Sequence, residues 1–242
     1  MKLPKWSAPK GLALKRPAIN KKIIIPVLGL VLLLGLLAVI RLVSLKLTPE
    51  LPPEELWDTA LENTMSANSY RYQVEMIFDG KTNLRGEGER LSPDKVHLKG
   101  TMDSVKLEFI QIGETGYMRD PYSKQWLALE GNQLSNSELF ITELNPLGMF
   151  NFKDIPEIKA QGEEEIGDEQ CIVLNLQPNV ANPFMENFIN FDYKVWISSK
   201  DKFIKQADIK AVSKGQNQVK FNLKLKFSDY NGDITINPPP VG

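Results

Sequence analysis

The chain has 242 residues, one cysteine and a formal net charge of −1, but that near-neutrality hides a strong asymmetry. Nine of the 29 Lys and Arg lie before position 47 and all 30 Asp and Glu lie after it, which leaves the remainder near −10. Such a balance argues against nucleic acid or an anionic headgroup surface as the main partner of the larger part, and a lone Cys171 excludes an intramolecular disulfide.

Residues 1–22 carry six lysines, Arg16 and no acid, a basic tail. From Ile23 to Ile40 run 18 residues without a charge or strongly polar side chain. At 1.5 Å rise per residue a helix of that length covers about 27 Å, close to the hydrocarbon thickness of a bilayer. Residues 23–45 are therefore expected to form a single transmembrane helix, with the tail held in the cytoplasm by the positive-inside rule. The sequence AVIRLVSLKLTPE offers no A-x-A-like cleavage site and no cysteine for lipid attachment, so the helix reads as an uncleaved signal anchor. Residues 46–53 form a proline-containing tether. No N-x-S/T sequon occurs, which fits a bacterial cytoplasmic-membrane protein whose domain, residues 54–239, lies outside the cell.

Within that domain, Glu54 and Glu55 open a helix in which Leu56, Trp57, Ala60, Leu61 and Met65 recur at helical spacing. From Ser69 the period becomes two: Tyr70, Tyr72, Val74, Met76 and Phe78 share one strand face. Further strands are expected at 83–91, 95–102, 105–112 (with Leu107 and Phe109 on the apolar side), 115–119 and 125–129, joined by tight turns into an antiparallel meander. Residues 130–157 break the pattern: Leu139, Phe140, Leu144, Met149 and Phe150 crowd a stretch interrupted by Pro146 and Gly148. Strands resume at 157–165 and 170–177 around an acidic turn that includes Glu163–Glu165. A second irregular piece carries Phe184, Met185 and Phe188, and strands at 192–198, 203–213 and 218–229 follow. Asn231-Gly232 signals a hairpin into a last strand at 234–236. The expected fold is α+β, mainly antiparallel: a curved, open half-barrel of about eleven strands with a helical plug or lid, preceded by one transmembrane helix.

The segments PEELWDTALENTMSANSYRYQVEM, ETGYMRDPYSKQWLAL and KVWISSKDKFIKQADIKA…LKLKFSDYNGDITINPP, in this order, resemble the lipoprotein-carrier fold of LolA, LolB and RseB and the lipid-binding lipoproteins LppX and LprG. The resemblance implies a concave apolar face that holds acyl chains or presents a sensing surface. This chain departs from those relatives, which are soluble or lipid-anchored, in its membrane helix. The residues expected to line or cover an apolar ligand are Leu139, Phe140, Leu144, Met149, Phe150, Phe184, Met185, Phe188, Tyr72, Val74, Met76, Leu107 and Phe109.

No residue set points to catalysis, a cofactor or a metal. His97 has no second histidine to work with, Cys171 sits in the apolar strand CIVLNL, and Asp229-Tyr-Asn231-Gly-Asp233 lacks the sixth-position glycine and twelfth-position glutamate of a calcium loop. The expectation is a non-enzymatic domain that binds a lipid or the acyl part of a lipoprotein. The alternative is a regulatory sensor that contacts an envelope protein.

Overall fold

The computed structural model describes residues 51–129 and 145–241. The basic tail, the apolar stretch 23–45, most of the tether, and Leu139, Phe140 and Leu144 lie outside the described residues. Among the described residues no helix is long and apolar enough to cross a membrane.

One helix, α1 (Pro53–Met65), precedes the sheet. Pro53 occupies its first turn, where a missing N–H is harmless, and Glu54 and Glu55 meet the positive end of its dipole. Leu56, Trp57, Ala60 and Thr64 are buried. Met65, expected in the same stripe, is instead 48% exposed, because the helix ends there and Ser66 caps it through its N–H to Glu62 O.

Eleven strands follow: β1 (Ser69–Phe78), β2 (Lys81–Leu91), β3 (Lys95–Met102), β4 (Val105–Ile112), β5 (Thr115–Arg119), β6 (Trp126–Leu129), β7 (Phe152–Ile166), β8 (Glu169–Val180), β9 (Phe188–Ser198), β10 (Ile204–Ser213) and β11 (Lys220–Ser228). They form a single antiparallel sheet in the order β6-β5-β4-β3-β2-β1-β11-β10-β9-β8-β7. The chain thus enters at the middle, meanders out to the β6 edge, reappears at the β7 edge and meanders back until β11 pairs with β1, Val74 opposite Leu225. The edges β6 and β7 do not pair, so the sheet is open.

Alternation decides the faces. In β11, Phe221, Leu223, Leu225 and Phe227 are buried while Lys224 and Lys226 are exposed. The core face carries one continuous apolar cluster covered by α1 and by a 3-10 turn, Pro146–Phe150. Trp57 stacks on Phe152 at 5.7 Å and meets Phe150 edge-on at 5.8 Å. At the other end of α1, Thr64 Oγ1 accepts a 3.0 Å hydrogen bond from Ile204 N.

Three sequence expectations are corrected here. The irregular stretches are shorter than expected: Phe152–Ile155 belong to β7, β8 runs on to Val180, and Phe188 and Ile189 start β9. Glu163–Glu165 lie in β7, not in a turn; Gly167, at φ +67°, turns the chain instead. Residues 234–236 form no strand. Asn231, at φ 58°, does turn, but its N–H donates to Ser69 O and its Oδ1 accepts from Asn68 N, each at 2.8 Å. The tail is thereby fixed at the start of β1 and crosses the back face, where Ile234 and Ile236 bury themselves against Ile110.

Candidate functional site: the core face of the β1–β6 wing

Tyr72 and Val74 project from β1 onto the core face and are buried at 2% and 1% exposure. Met149 and Phe150, on the 3-10 turn, fill the same cluster, and Tyr193 Oη donates to Met149 O at 2.9 Å, pinning that turn to β9. Met185 joins them from a second 3-10 turn, Pro183–Met185. Phe184 shares that turn, but its side chain lies outside the described residues. Phe188 is half-buried and packs on Phe221 with ring centres 5.1 Å apart. Phe109 is fully buried in β4. Five of the expected lining residues, Tyr72, Val74, Met149, Phe150 and Met185, are thus brought into one packed core.

Met76 and Leu107 have a different setting. Both are half-buried at the margin of that core, on the side of the early strands. Registers place Met76 opposite Leu84, Leu84 opposite Met102, and Met102 opposite Val105. A second cross-strand row runs from Phe109 through Met118 to Leu127. Along these rows burial fades: Leu84 and Phe109 are buried, Met102 and Met118 half-buried, and Val105 and Leu127 are 47% and 46% exposed. The result is an apolar margin four strands wide, from β3 to β6, that continues the core face toward the β6 edge. Met102, Val105, Met118 and Leu127 were not among the expected lining residues. Their signal was available in the alternation of β3–β6, in phase with Leu107.

Glycines shape this wing. A Cβ on Gly100 would stand 2.4 Å from Arg85 O and 2.8 Å from Gly86 Cα, and one on Gly88 would strike the Tyr72 ring at 2.2 Å. Gly100 thus lets β3 lie against β2 without a side chain between them, and Gly88 leaves room for the Tyr72 ring of β1.

Beside the apolar patches around Ile110 and Trp196, the back face carries charged clusters. Glu75 takes hydrogen bonds from Arg85 and from Lys224 (3.2 Å), which hold its carboxyl below the usual carboxylate range. Burial pushes Glu108 up, yet a 2.9 Å hydrogen bond from Arg119, His97 at 3.1 Å and the charge of Lys99 outweigh it, and its carboxyl also falls below that range. His97 therefore serves as a partner of Glu108 in an ion-pair cluster. Trp196 Nε1 and Lys194 Nζ both donate to Glu164 at 2.8 Å, placing that carboxylate in a cross-strand network. Asp229 is held by Arg71 at 2.8 Å. Cys171 is buried, and burial pushes its thiol up to about 11, away from nucleophilic reactivity. Among the described residues no group of three His, Cys, Asp or Glu side chains is placed to hold a metal.

No protein-family model matches the sequence. No curated protein matches it either. Solved structures do match in fold. The lipoprotein LppX of Mycobacterium tuberculosis aligns over 76% of this chain and 97% of its own, with 16% identity and a TM-score of 0.54. LprF of Mycobacterium bovis aligns over 78% and 97%, with 13% identity and a TM-score of 0.55. A LolA superfamily protein of Nitrosomonas europaea covers 77% of this chain at a TM-score of 0.35. The described domain thus shares its fold with the lipoprotein LppX and with LprF, as the order of its segments led one to expect.

Proposed function

We propose that this is an extracytoplasmic, non-enzymatic envelope domain that binds an apolar ligand, a lipid or the acyl chain of a lipoprotein, on the core face of its β1–β6 wing. Residues 23–45 anchor it in the membrane as a single helix with the basic tail inside. The observation that carries the reading is the fading margin Met76–Met102–Leu107–Met118. Among the described residues, apolar side chains there continue a core face without the cover that α1 and the Pro146–Phe150 turn give the rest of it. Contiguous exposed apolar surface marks a binding site more often than it marks nothing. Methionine side chains adapt to irregular partners, and each acyl methylene buried on them contributes about 0.8 kcal/mol. The fold shared with the lipoprotein LppX supports an envelope setting.

The test is a titration of the full chain, in neutral nanodiscs, with a fluorescent fatty acid too polar to partition fully into the disc. Binding should saturate and weaken at least tenfold in a Met102→Ser/Leu107→Ser/Met118→Ser variant that keeps its melting temperature. Saturable binding that this variant leaves unchanged would rule out the β1–β6 margin as the site. Absence of binding to both proteins would end the lipid reading. The anchor has its own check. External protease on wall-stripped cells should digest the domain and leave a small membrane-bound fragment. A mature domain released with its N-terminus after residue 44 would refute the anchor.

A further inference from the structure

The back face of the same wing holds a groove of about 1010 Å³, walled on one side by the β5–β6 turn at Asp120 and Pro121. Seven Lys and Arg side chains line it against four carboxylates, in a domain whose sequence is otherwise near −10. The carboxylates are mostly committed: Glu75 and Glu108 each hold at least two cations, and Asp120 accepts from the N–H groups of Tyr122 and Ser123. The two arginines, Arg85 and Arg119, are committed with them. Lys106 and Lys226 are exposed and form no ion pair among the described residues. Lys99 reaches Glu108 only at 3.6 Å.

Register fixes the order of these lysines across the groove. Lys226 is linked to Lys99 through Gln73 and Glu87, and Lys224 to Lys106 through Glu75, Arg85 and Thr101. At about 4.8 Å per strand the two spans are about 14 Å and about 19 Å. A single small anion would meet one or two solvated lysines, which is worth about 1 kcal/mol or less. Only a ligand with several negative groups along its length engages the groove as a whole. Ammonium groups are compact point charges that suit phosphate without the planar geometry an arginine fork demands.

We propose that this groove is a binding site for a ligand carrying several phosphates, held by Lys106 and Lys226 with Lys99 and Lys224 beside them. These lysines stand on the face opposite the apolar margin, whose Leu107 also borders the groove, and the site does not depend on the lipid reading.

The experiment uses the full chain in nanodiscs of neutral phospholipid and labelled polyphosphate of about ten units, read by fluorescence anisotropy. Binding should weaken steeply with added salt, as exposed charge pairs do, and inorganic monophosphate should compete poorly at equal phosphate concentration. Lys106→Gln/Lys226→Gln should lose at least tenfold in affinity, while Lys200→Gln/Lys214→Gln, exposed lysines away from the groove, should bind as the parent does. A second arm places the chain in discs of anionic phospholipid without polyphosphate and maps lysine acetylation. Protection of Lys106 and Lys226 there assigns the phosphates to lipid headgroups, and protection by polyphosphate alone assigns them to a soluble ligand. Equal losses in the two variant pairs, or no binding and no protection in either arm, would overturn the site. Fatty-acid binding should be the same in both lysine variants, so the two proposals can fail separately.

Discussion

The two wings of the sheet solve the same problem differently. In β7–β11 the core face is covered by α1 and the Pro146–Phe150 turn, and Val195, Ile197, Ile209 and Leu223 have no exposed surface. In β1–β6 the same face starts out filled, at Tyr72 and Val74, and thins to Val105 and Leu127, each nearly half exposed. Strand chemistry is similar in both, so the difference lies in the cover. Trp57 and Phe150 sit over one wing, and β2 and β3 carry glycine where the other would need side chains. Stability is therefore concentrated in one wing, and adaptable apolar surface in the other.

The largest test of that contrast is the cover itself. Trp57→Ala or Phe150→Ala should cost about 3–5 kcal/mol, as large-to-small changes in filled cores do, measured by urea denaturation. A cost under about 1 kcal/mol would mean that the plug is loosely seated. Next in size, Gly100→Ala should cost about 1–3 kcal/mol, because its methyl meets backbone that cannot swing aside. Met102→Ser, alone on the margin, should cost less than about 1 kcal/mol while still weakening fatty-acid binding, since it removes little buried surface. A loss like that of Phe150→Ala would merge the two wings into one core.

The smallest effect concerns pH. Glu75 and Glu108 have folded carboxyls held below the usual range. Their contribution is present above an unfolded value of about 4.3 and is lost as pH falls through the lower folded values. Melting temperature should drop below about pH 4.5, and the drop should be shallower in Glu75→Gln, whose carboxylate is no longer there to protonate. Equal slopes would assign the acid sensitivity to groups outside this face.

Much of the sheet was legible because alternation is local. The bounds of β1, β3, β4 and β5 follow from period-two patterns between clear turns. The start of β7 was not legible, since Phe152 is placed by stacking on Trp57, far away in sequence. Asn231-Gly232 announced a turn correctly and its continuation wrongly. The residues that capture it, Asn68 and Ser69, belong to the other end of the domain. The same limit hid the groove. Lys106 and Lys226 look like ordinary solvent-facing strand residues until register sets β11 and β4 on one surface. Alternation marked the apolar face but did not say which part of it the described residues would leave less covered.

The pairing of β1 with β11 has a kinetic meaning. Every other ladder in the sheet joins strands that are neighbours in sequence. Each wing is a run of hairpins that needs only short loop closures, whereas the central seam must bring together strands separated by nearly the whole domain. Non-local contacts of this kind slow folding, so the seam is the natural bottleneck, with two half-sheets waiting to be joined. Truncating Val74 or Leu225 should therefore slow refolding, while truncating Leu98 should mainly hasten unfolding. Until the seam closes, both half-sheets expose an unpaired inner edge, and that interval is when the chain is most open to pairing with another copy of itself.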